Sequence, residues 1–355
     1  MAITLTINIM GNIILLKKKT KKAIKNLFFR AYLLSAFFLI LSSLCFAQNE
    51  SLSPYPGIIH IHSNITEEGV YPFRKLVTLA QTKGIKILVF TDTFLKRWEY
   101  GLPFLSNIFK VSIEQRCIVK YGIKNYLRDL EKIKDEFPDM VILGGTQVSP
   151  FYWWSGSFYK KNLSLNDWNK DFLVIGLKSY SDYARLPVVC NRYFLPQLKD
   201  TLPLLIPIAL IIFGVYLFKK RSPRRIPGWA LTILGILFLF NTFPFSASRF
   251  DPYHGQKAFL PYQDLINYVN KKSGLVFWAH PMIAEDVSSM KFLRTNLYTP
   301  AYPDALVKTT GYTGFGAGVP GSASDNPILA AGGVWDNALK DYCLGKRNQP
   351  AWAIG

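Results

Sequence analysis

Acidic residues are scarce in this chain. It carries 23 Asp and Glu against 42 Lys and Arg, a net charge of +19 over 355 residues. Charged residues of both signs together make up only 18%, while 15% are aromatic, and that balance excludes a disordered chain. Cysteine is rare too, with four in all and no metal-like spacing. Cys45 lies in the N-terminal apolar run, where a lipoprotein site is a poor match. One disulfide is possible among Cys117, Cys190 and Cys343, with the pair left open. No internal repeat or low-complexity segment stands out. The Gly-rich stretch 311–321 lacks a G-K-[ST] ending, so it reads as a strand end and flexible loop rather than a phosphate loop.

The excess charge is concentrated. Lys17, Lys18, Lys19, Lys21, Lys22, Lys25 and Arg30 form one block, and Lys219, Lys220, Arg221, Arg224 and Arg225 a second. Together they hold twelve of the nineteen excess charges. Each block abuts an apolar run: residues 32–47, 202–218 and 226–248 carry no charge at all. A nucleic-acid patch would mix its cations with polar and aromatic residues on one surface. Cations at the ends of apolar runs are instead what the positive-inside rule produces, so no nucleic-acid partner is expected.

The first run reads as a signal peptide or signal anchor over residues 1–47, with cleavage after Ala47 and retention both open. The other two are each about the ~20 residues needed to cross a bilayer, giving a transmembrane hairpin over 202–248. A pair of buried core helices is the competing reading. The five cations clustered between the runs are hard to bury in a soluble core. Pro203, Pro207 and Pro227 sit near helix starts, where proline is tolerated. The topology that satisfies both blocks puts the N-terminus and the basic turn in the cytoplasm. Residues 48–201 and 249–355 then share the extracytoplasmic side of the cytoplasmic membrane. The absence of charge inside the spans leaves no transport pathway.

Short apolar runs recur in these two segments, at 58–61, 87–91, 140–143, 172–175, 275–278, 312–315 and 351–354. Continuous runs of this kind suit strands buried on both faces, as in a parallel sheet. Helical patterns alternate with them at 71–82, 121–136, 261–272, 303–308 and 334–343. The alternation predicts an α/β fold, and seven strands suggest a closed or nearly closed barrel with the hairpin inserted after the fourth. In such barrels the site lies at the C-terminal strand ends. Those ends carry His60, His62 and Ser63, then Thr91, Asp92 and Thr93, then Gln147 and Ser149, then His280. The chain has four histidines, and only His254 lies elsewhere.

His60 and His62 at i, i+2 on a strand point to one face, and neutral imidazole is a good ligand for zinc, iron or manganese. A polar pair facing solvent is the alternative. His280, in Phe277-Trp278-Ala279-His280-Pro281, adds a third imidazole at another strand end.

The opening stretch resembles a polymerase-and-histidinol-phosphatase (PHP) domain. The resemblance rests on Ile59-His60-Ile61-His62-Ser63-Asn64, the acidic Glu67-Glu68-Gly69, the helical pattern at 73–83, and Gly84-Ile85-Lys86-Ile87-Leu88-Val89-Phe90-Thr91-Asp92. Ala279-His280-Pro281 is similar to a later motif. The likeness covers roughly residues 56–180 and 255–355 and is sharpest in its first forty residues. It implies a distorted (β/α)7 barrel, a cluster of two or three divalent metals and hydrolysis of phosphate esters. By this likeness His60, His62 and His280 are metal ligands. Glu68, or Glu67, stands near an Asp ligand with a one-residue insertion, and Asp92 matches the Asp of the second motif. Thr93 replaces a His ligand, and Gln147, in Gly144-Gly145-Thr146-Gln147-Val148-Ser149, replaces a bridging Glu. A neutral amide cannot supply that charge, so one ion or a weakly held pair is expected in place of the full cluster. The family's last motif, with an Asp and a His ligand, follows its seventh strand. The resemblance implies that these ligands, and the final helix, lie beyond Gly355. Asp325, with no following His and ahead of the last strand, reads as a loop residue.

The expected activity is therefore a membrane-tethered, extracytoplasmic phosphoesterase. Its metal would lower the pKa of a nucleophilic water and polarise a phosphoryl oxygen. Asp92 would orient a ligand or serve as a helix N-cap, and Glu68 would be an added ligand or base. The alternative is a non-catalytic binding or sensory module on a degenerate barrel. Phe151-Tyr152-Trp153-Trp154 reads as a membrane-interface belt or simple packing ahead of a substrate contact. Lys170, Lys178 and Arg185 read as solvated surface ahead of phosphate contacts.

Overall fold

The computed structural model describes residues 55–102, 105–194, 198–220, 225–242, 250–290, 294–317 and 328–354. The N-terminal apolar run, the middle of the basic turn at 221–224 and Asp325 lie outside the described residues.

In chain order the elements begin β1 (Gly57–Ile61), α1 (Phe73–Thr82), β2 (Ile87–Phe90), β3 (Arg97–Gly101), β4 (Lys110–Glu114), α2 (Ile118–Tyr121), α3 (Ile123–Glu136) and β5 (Val141–Val148). They continue with β6 (Trp153–Ser155), β7 (Ser164–Asn166), β8 (Phe172–Ile175), α4 (Tyr180–Ala184), α5 (Leu205–Lys219), α6 (Arg225–Thr242), α7 (Leu260–Lys271) and β9 (Leu275–Trp278). The last are β10 (Glu285–Met290), β11 (Thr295–Thr299), α8 (Ala305–Lys308), β12 (Gly314–Gly316), α9 (Val334–Cys343) and β13 (Trp352–Ile354).

The seven apolar runs form one curled sheet in the order β1-β2-β5-β8-β9-β12-β13. Along β2, Leu88 and Phe90 join the layer beneath the helices, whereas Val89 packs with Leu173, Ile175, Phe277 and Ala279 in a separate cluster. This is the two-residue alternation of a strand covered on both sides. The helices bury one stripe each: Phe73, Val77 and Ala80 on α1, and Ile123, Tyr126, Leu130 and Ile133 on α3.

One strand departs from the expected parallel order. β8 runs antiparallel to both β5 and β9, pairing Phe172 with Val148 and with Trp278. All four β8 residues are buried, and an unbroken apolar run carries no sign of its direction. The reversal brings the N-terminal end of β8 beside the C-terminal ends of β5 and β9.

A smaller sheet, β10-β11-β7-β6, and the β3–β4 hairpin were not foreseen. Strands of three residues, as in β6 and β7, are too short to show a period. Their cluster holds Phe151, Tyr152 and Trp154, so the aromatic group is packing. The described cysteines Cys117, Cys190 and Cys343 are free, so none of them forms the disulfide allowed by sequence.

α5 and α6 follow β8. Thr201–Lys219, which adds part of the 3-10 segment Leu198–Leu204 ahead of α5, and Arg225–Thr242 span 19 and 18 residues and are long and apolar enough to cross a membrane. At 1.5 Å per residue that is about 27–29 Å, close to the hydrocarbon thickness. Core helices would hide their apolar side chains. Here Ile206, Ile212, Ile226, Trp229 and Phe240 are all exposed. The buried positions are Pro207, Gly214, Gly228 and Gly235, where the two helices meet. A Cβ on Gly228 would lie 2.6 Å from the Phe218 nitrogen, and one on Gly235 would lie 2.9 Å from the Ile211 nitrogen. Small residues permit this approach, as is usual between helices in lipid.

Candidate functional site

The C-terminal ends of β1 and β2 are locked together first. The Thr91 amide donates to the Ile61 carbonyl at 2.8 Å, and the Ser63 amide donates to Asp92 Oδ1 at 2.7 Å. The Ser63 hydroxyl donates to both Asp92 oxygens at 3.0 Å, and the Thr66 hydroxyl to Oδ1 at 3.3 Å. Asp92 is fully buried. Burial pushes its pKa up to about 6, against the pull of the Ser63 and Thr66 donors. No helix follows β2 directly, so Asp92 is not an N-cap. It ties down the segment that carries His62.

His60, His62, Glu68, Gln147 and His280 line an open pocket of about 440 Å³, with Lys96, Trp168, Asn169, Ile283 and Glu285 on its remaining walls. Asp92 and Thr93 stand behind it. Thr93 pairs with Gln147 in a parallel bridge, and its hydroxyl donates to Glu68 Oε2 at 3.3 Å. Of the two candidate acids, Glu68 faces the pocket. Glu67 is half exposed and pairs outward with Arg116 at 3.0 Å. His254 is also exposed and pairs with Asp251.

Two contacts converge on one nitrogen. His60 Nε2 lies 3.0 Å from His62 Nε2 and 2.8 Å from Gln147 Oε1. The orientation of the amide is fixed from behind. Gln147 Nε2 donates to Asp171 Oδ2 at 2.5 Å, and a carboxylate there accepts only from the NH2 end, which turns the oxygen toward His60. Asp171 is fully buried and also accepts from the Ser149 hydroxyl. Burial, then the nearby His60, lowers the His62 pKa to about 4, and the same two causes lower that of His280. Both rings are therefore neutral at neutral pH, with lone pairs available.

A single proton on His60 Nε2 serves only one of its two close neighbours well. A divalent ion accepts lone pairs from all three. Metal–nitrogen bonds of about 2.0–2.1 Å place adjacent donors about 3.0–3.4 Å apart; the 3.0 Å between His60 and His62 meets this, and the 2.8 Å between His60 and Gln147 falls just short of it. The His62 Nδ1 atom is buried with no hydrogen-bond partner. His280 contributes differently, because its ring stacks on His60 with centroids 5.0 Å apart and planes at 27°. Lone pairs lie in the ring plane, so the two rings present theirs in near-parallel planes. Among the described residues no three His, Cys, Asp or Glu side chains are grouped to hold a metal ion. The third donor at this point is an amide oxygen. His60, His62 and Gln147 are the residues that could hold one ion, with no carboxylate oxygen at the same point to bridge a second.

Glu68 is engaged elsewhere. Its Oε1 lies 3.3 Å from Lys96 Nζ, on a side chain only 9% exposed. Burial works against the Glu68 carboxylate, but Lys96 and its own backbone amide hold its pKa below the usual value. Lys96 also lies over the Trp168 ring at 4.9 Å. Sequence reasoning missed Lys96, Trp168, Asn169, Asp171 and Glu285. The available signal was the polar run Asn166-Asp167-Trp168-Asn169-Lys170-Asp171 before β8, which matters only once β8 is reversed. Lys170, read as solvated, is buried and paired with Asp167 at 2.7 Å. Lys178 and Arg185 are exposed as expected.

No family model matches the chain, and no curated protein matches it. Among solved structures, a candidate metal-dependent phosphoesterase from Bifidobacterium adolescentis aligns with a TM-score of 0.27 and 12% identity, covering 65% of this chain and 68% of its own. An overlap at that level assigns no role to any residue.

Proposed function

We propose that the chain is a membrane-tethered hydrolase of PHP type that acts on small phosphate esters with one divalent ion. In this reading the fold is a distorted (β/α)7 barrel interrupted by a transmembrane hairpin. Both barrel segments lie on the extracytoplasmic side of the cytoplasmic membrane, as the two basic blocks argue. The observation that carries the proposal is the meeting of His60 Nε2, His62 Nε2 and Gln147 Oε1, with Asp171 holding the amide in place.

Zinc, manganese and iron all suit imidazole and amide donors. Such an ion supplies a Lewis acid that lowers the pKa of water and polarises a phosphoryl oxygen. The remaining work falls to the chain. His280 braces the His60 ring by stacking. Glu68, partly exposed on the pocket wall, is the group that takes a proton. Lys96 presents an ammonium to the phosphoryl charge. Asp92 positions the segment carrying His62 and touches no substrate.

A second reading is favoured by the pairing of Glu68 with Lys96 and Thr93. With its carboxylate engaged and its ion held by neutral donors, the barrel would bind a ligand without hydrolysing it. Metal content, zinc and manganese titration and p-nitrophenyl phosphate hydrolysis separate the readings on the full chain in detergent. Bound metal and turnover, both lost in His60→Ala/His62→Ala, support the hydrolase. Bound metal without turnover supports the binding module. No bound metal, or turnover unchanged in the double variant, ends the metal reading.

A further inference from the structure

The turn between β3 and β4 breaks the rule that hairpin turns are polar. Residues 102–109 read Leu-Pro-Phe-Leu-Ser-Asn-Ile-Phe, with no charge. The Leu102 amide donates to the Phe109 carbonyl at 2.8 Å and closes the turn. Three apolar side chains here stay out of any core: Leu102 is 49% exposed, Phe109 52% and Val111, near the start of β4, 53%.

The turn is also pinned to the end of an apolar helix. The Asn107 amide donates to Asn241 Oδ1 at 2.9 Å, and Asn107 Nδ2 donates to the Asn241 carbonyl at 2.6 Å. Asn241 is the penultimate residue of α6. A second tie holds the base of the hairpin, where the Gly101 amide donates to Tyr253 Oη at 2.8 Å. A helix of this length puts its ends at the two faces of the hydrocarbon layer. A turn bonded to that end is therefore held at the headgroup level.

We propose that the β3–β4 turn is a second membrane contact, with Leu102 and Phe109 inserted into the headgroup–acyl boundary of the bilayer that α5 and α6 cross. The occupant of this surface is phospholipid rather than a partner protein, because the turn is bonded to the end of α6, a helix whose own apolar side chains are exposed. Lys110 does not reach for lipid phosphates, since it pairs back to Glu99 at 2.6 Å. The contact would fix the tilt of the barrel on the membrane, which a hairpin joined through its two ends leaves free. The inference rests on the membrane reading of α5 and α6 and is independent of the metal site.

The test uses the full chain in phosphatidylcholine–phosphatidylglycerol nanodiscs. An NBD fluorophore is placed at Phe109→Cys in a Cys343→Ser background, with the Cys343→Ser chain alone as the labelling blank. Lys132→Cys on α3, whose side chain is 66% exposed, is the aqueous control. The expected result is a blue-shifted emission at 109, iodide quenching several-fold weaker than at 132, and strong quenching by doxyl-labelled lipid. Leu102→Cys should behave like 109. Iodide quenching at 109 and 102 equal to that at 132 would overturn the proposal. So would protection from iodide without quenching by doxyl lipid, which would mean that protein, including a second copy of the chain, covers the turn.

Discussion

Replacing Asp92 with Asn should alter stability in a pH-dependent way whose size follows from burial. Asp92 is fully buried, and its carboxyl pKa is pushed up to about 6 from an ordinary 3.8, burial being the largest cause. A folded-state pKa above the unfolded one means that the native state binds the proton more tightly. Native stability is then greatest below the unfolded value and falls as pH rises through about 6. A shift of about two units corresponds to roughly 3 kcal/mol. Asn keeps the shape and one acceptor for the Ser63 amide but cannot ionise. At acid pH the variant should be less stable by about 1–2 kcal/mol, the cost of the lost acceptor. Between about pH 3.5 and pH 7 the difference should move by roughly 3 kcal/mol in favour of the variant, bringing it level with or above the wild type. His62 titrates in the opposite sense, since its pKa falls to about 4, but both proteins share it and it cancels in the difference. Urea unfolding of the full chain in detergent, followed by tryptophan emission, reads this directly because Trp278 is fully buried. A gap that stays constant with pH would refute the reasoning. It would mean that the Ser63 and Thr66 donors cancel the penalty of burying the charge.

Three other experiments test neighbouring claims. Gln147→Glu sets a carboxylate against Asp171, so it should lower the melting temperature without metal and enlarge the upward shift produced by zinc or manganese; a metal response equal to wild type would count against Gln147 as a donor. Lys96→Met removes the cation 3.3 Å from Glu68, which frees the carboxylate and should tighten metal binding several-fold in a calorimetric titration; unchanged or weaker binding would show that Lys96 does not compete for Glu68. Gly235→Leu puts a side chain where a Cβ already lies 2.9 Å from the Ile211 nitrogen, so it should cost about 1–3 kcal/mol in detergent, whereas Ile226→Leu at an exposed face should cost little; equal effects would mean that α5 and α6 are not closely packed.

Much of this molecule is legible from periodicity. Runs of four apolar residues mark β8 and β9 to the residue, and the stripe Phe73, Val77, Ala80 marks α1, because burial on a sheet or beneath a helix imposes a repeat on the sequence. His60 and His62 are legible for the same reason, since a spacing of two puts both on one face. Strand direction imposes no repeat, so the reversal of β8 was invisible and Asp171 was overlooked with it. Lys96 and Glu285 escaped because they reach the pocket from the start of the β3–β4 hairpin and from the small sheet. The choice of Glu68 over Glu67 depended on which side chain turned inward. Composition offers no purchase on that, and Arg116 decides it by drawing Glu67 outward.

The reversal of β8 also bears on how a neutral ligand can serve a cation. In the PHP resemblance a carboxylate touches the metals directly, whereas Gln147 offers an amide oxygen at that position. The charge has not left the neighbourhood. Asp171, at the leading end of β8, lies behind the amide and takes its N–H. A carboxylate bonded to the NH2 of an amide polarises that group and makes its carbonyl oxygen a better donor, because hydrogen bonds in series strengthen one another in a low-dielectric interior. The anion thus acts through one intervening group. On the proposed reading, an ion at Gln147 would feel only part of the Asp171 charge, and Asp171 would have no oxygen free to bridge a second ion. Ser149 occupies the other carboxylate oxygen and holds Asp171 in that supporting position. If the proposed ion binds, a site built this way would favour one exchangeable ion over a tightly held cluster. A parallel β8 would place its leading end at the opposite edge of the sheet and leave Gln147 without this partner.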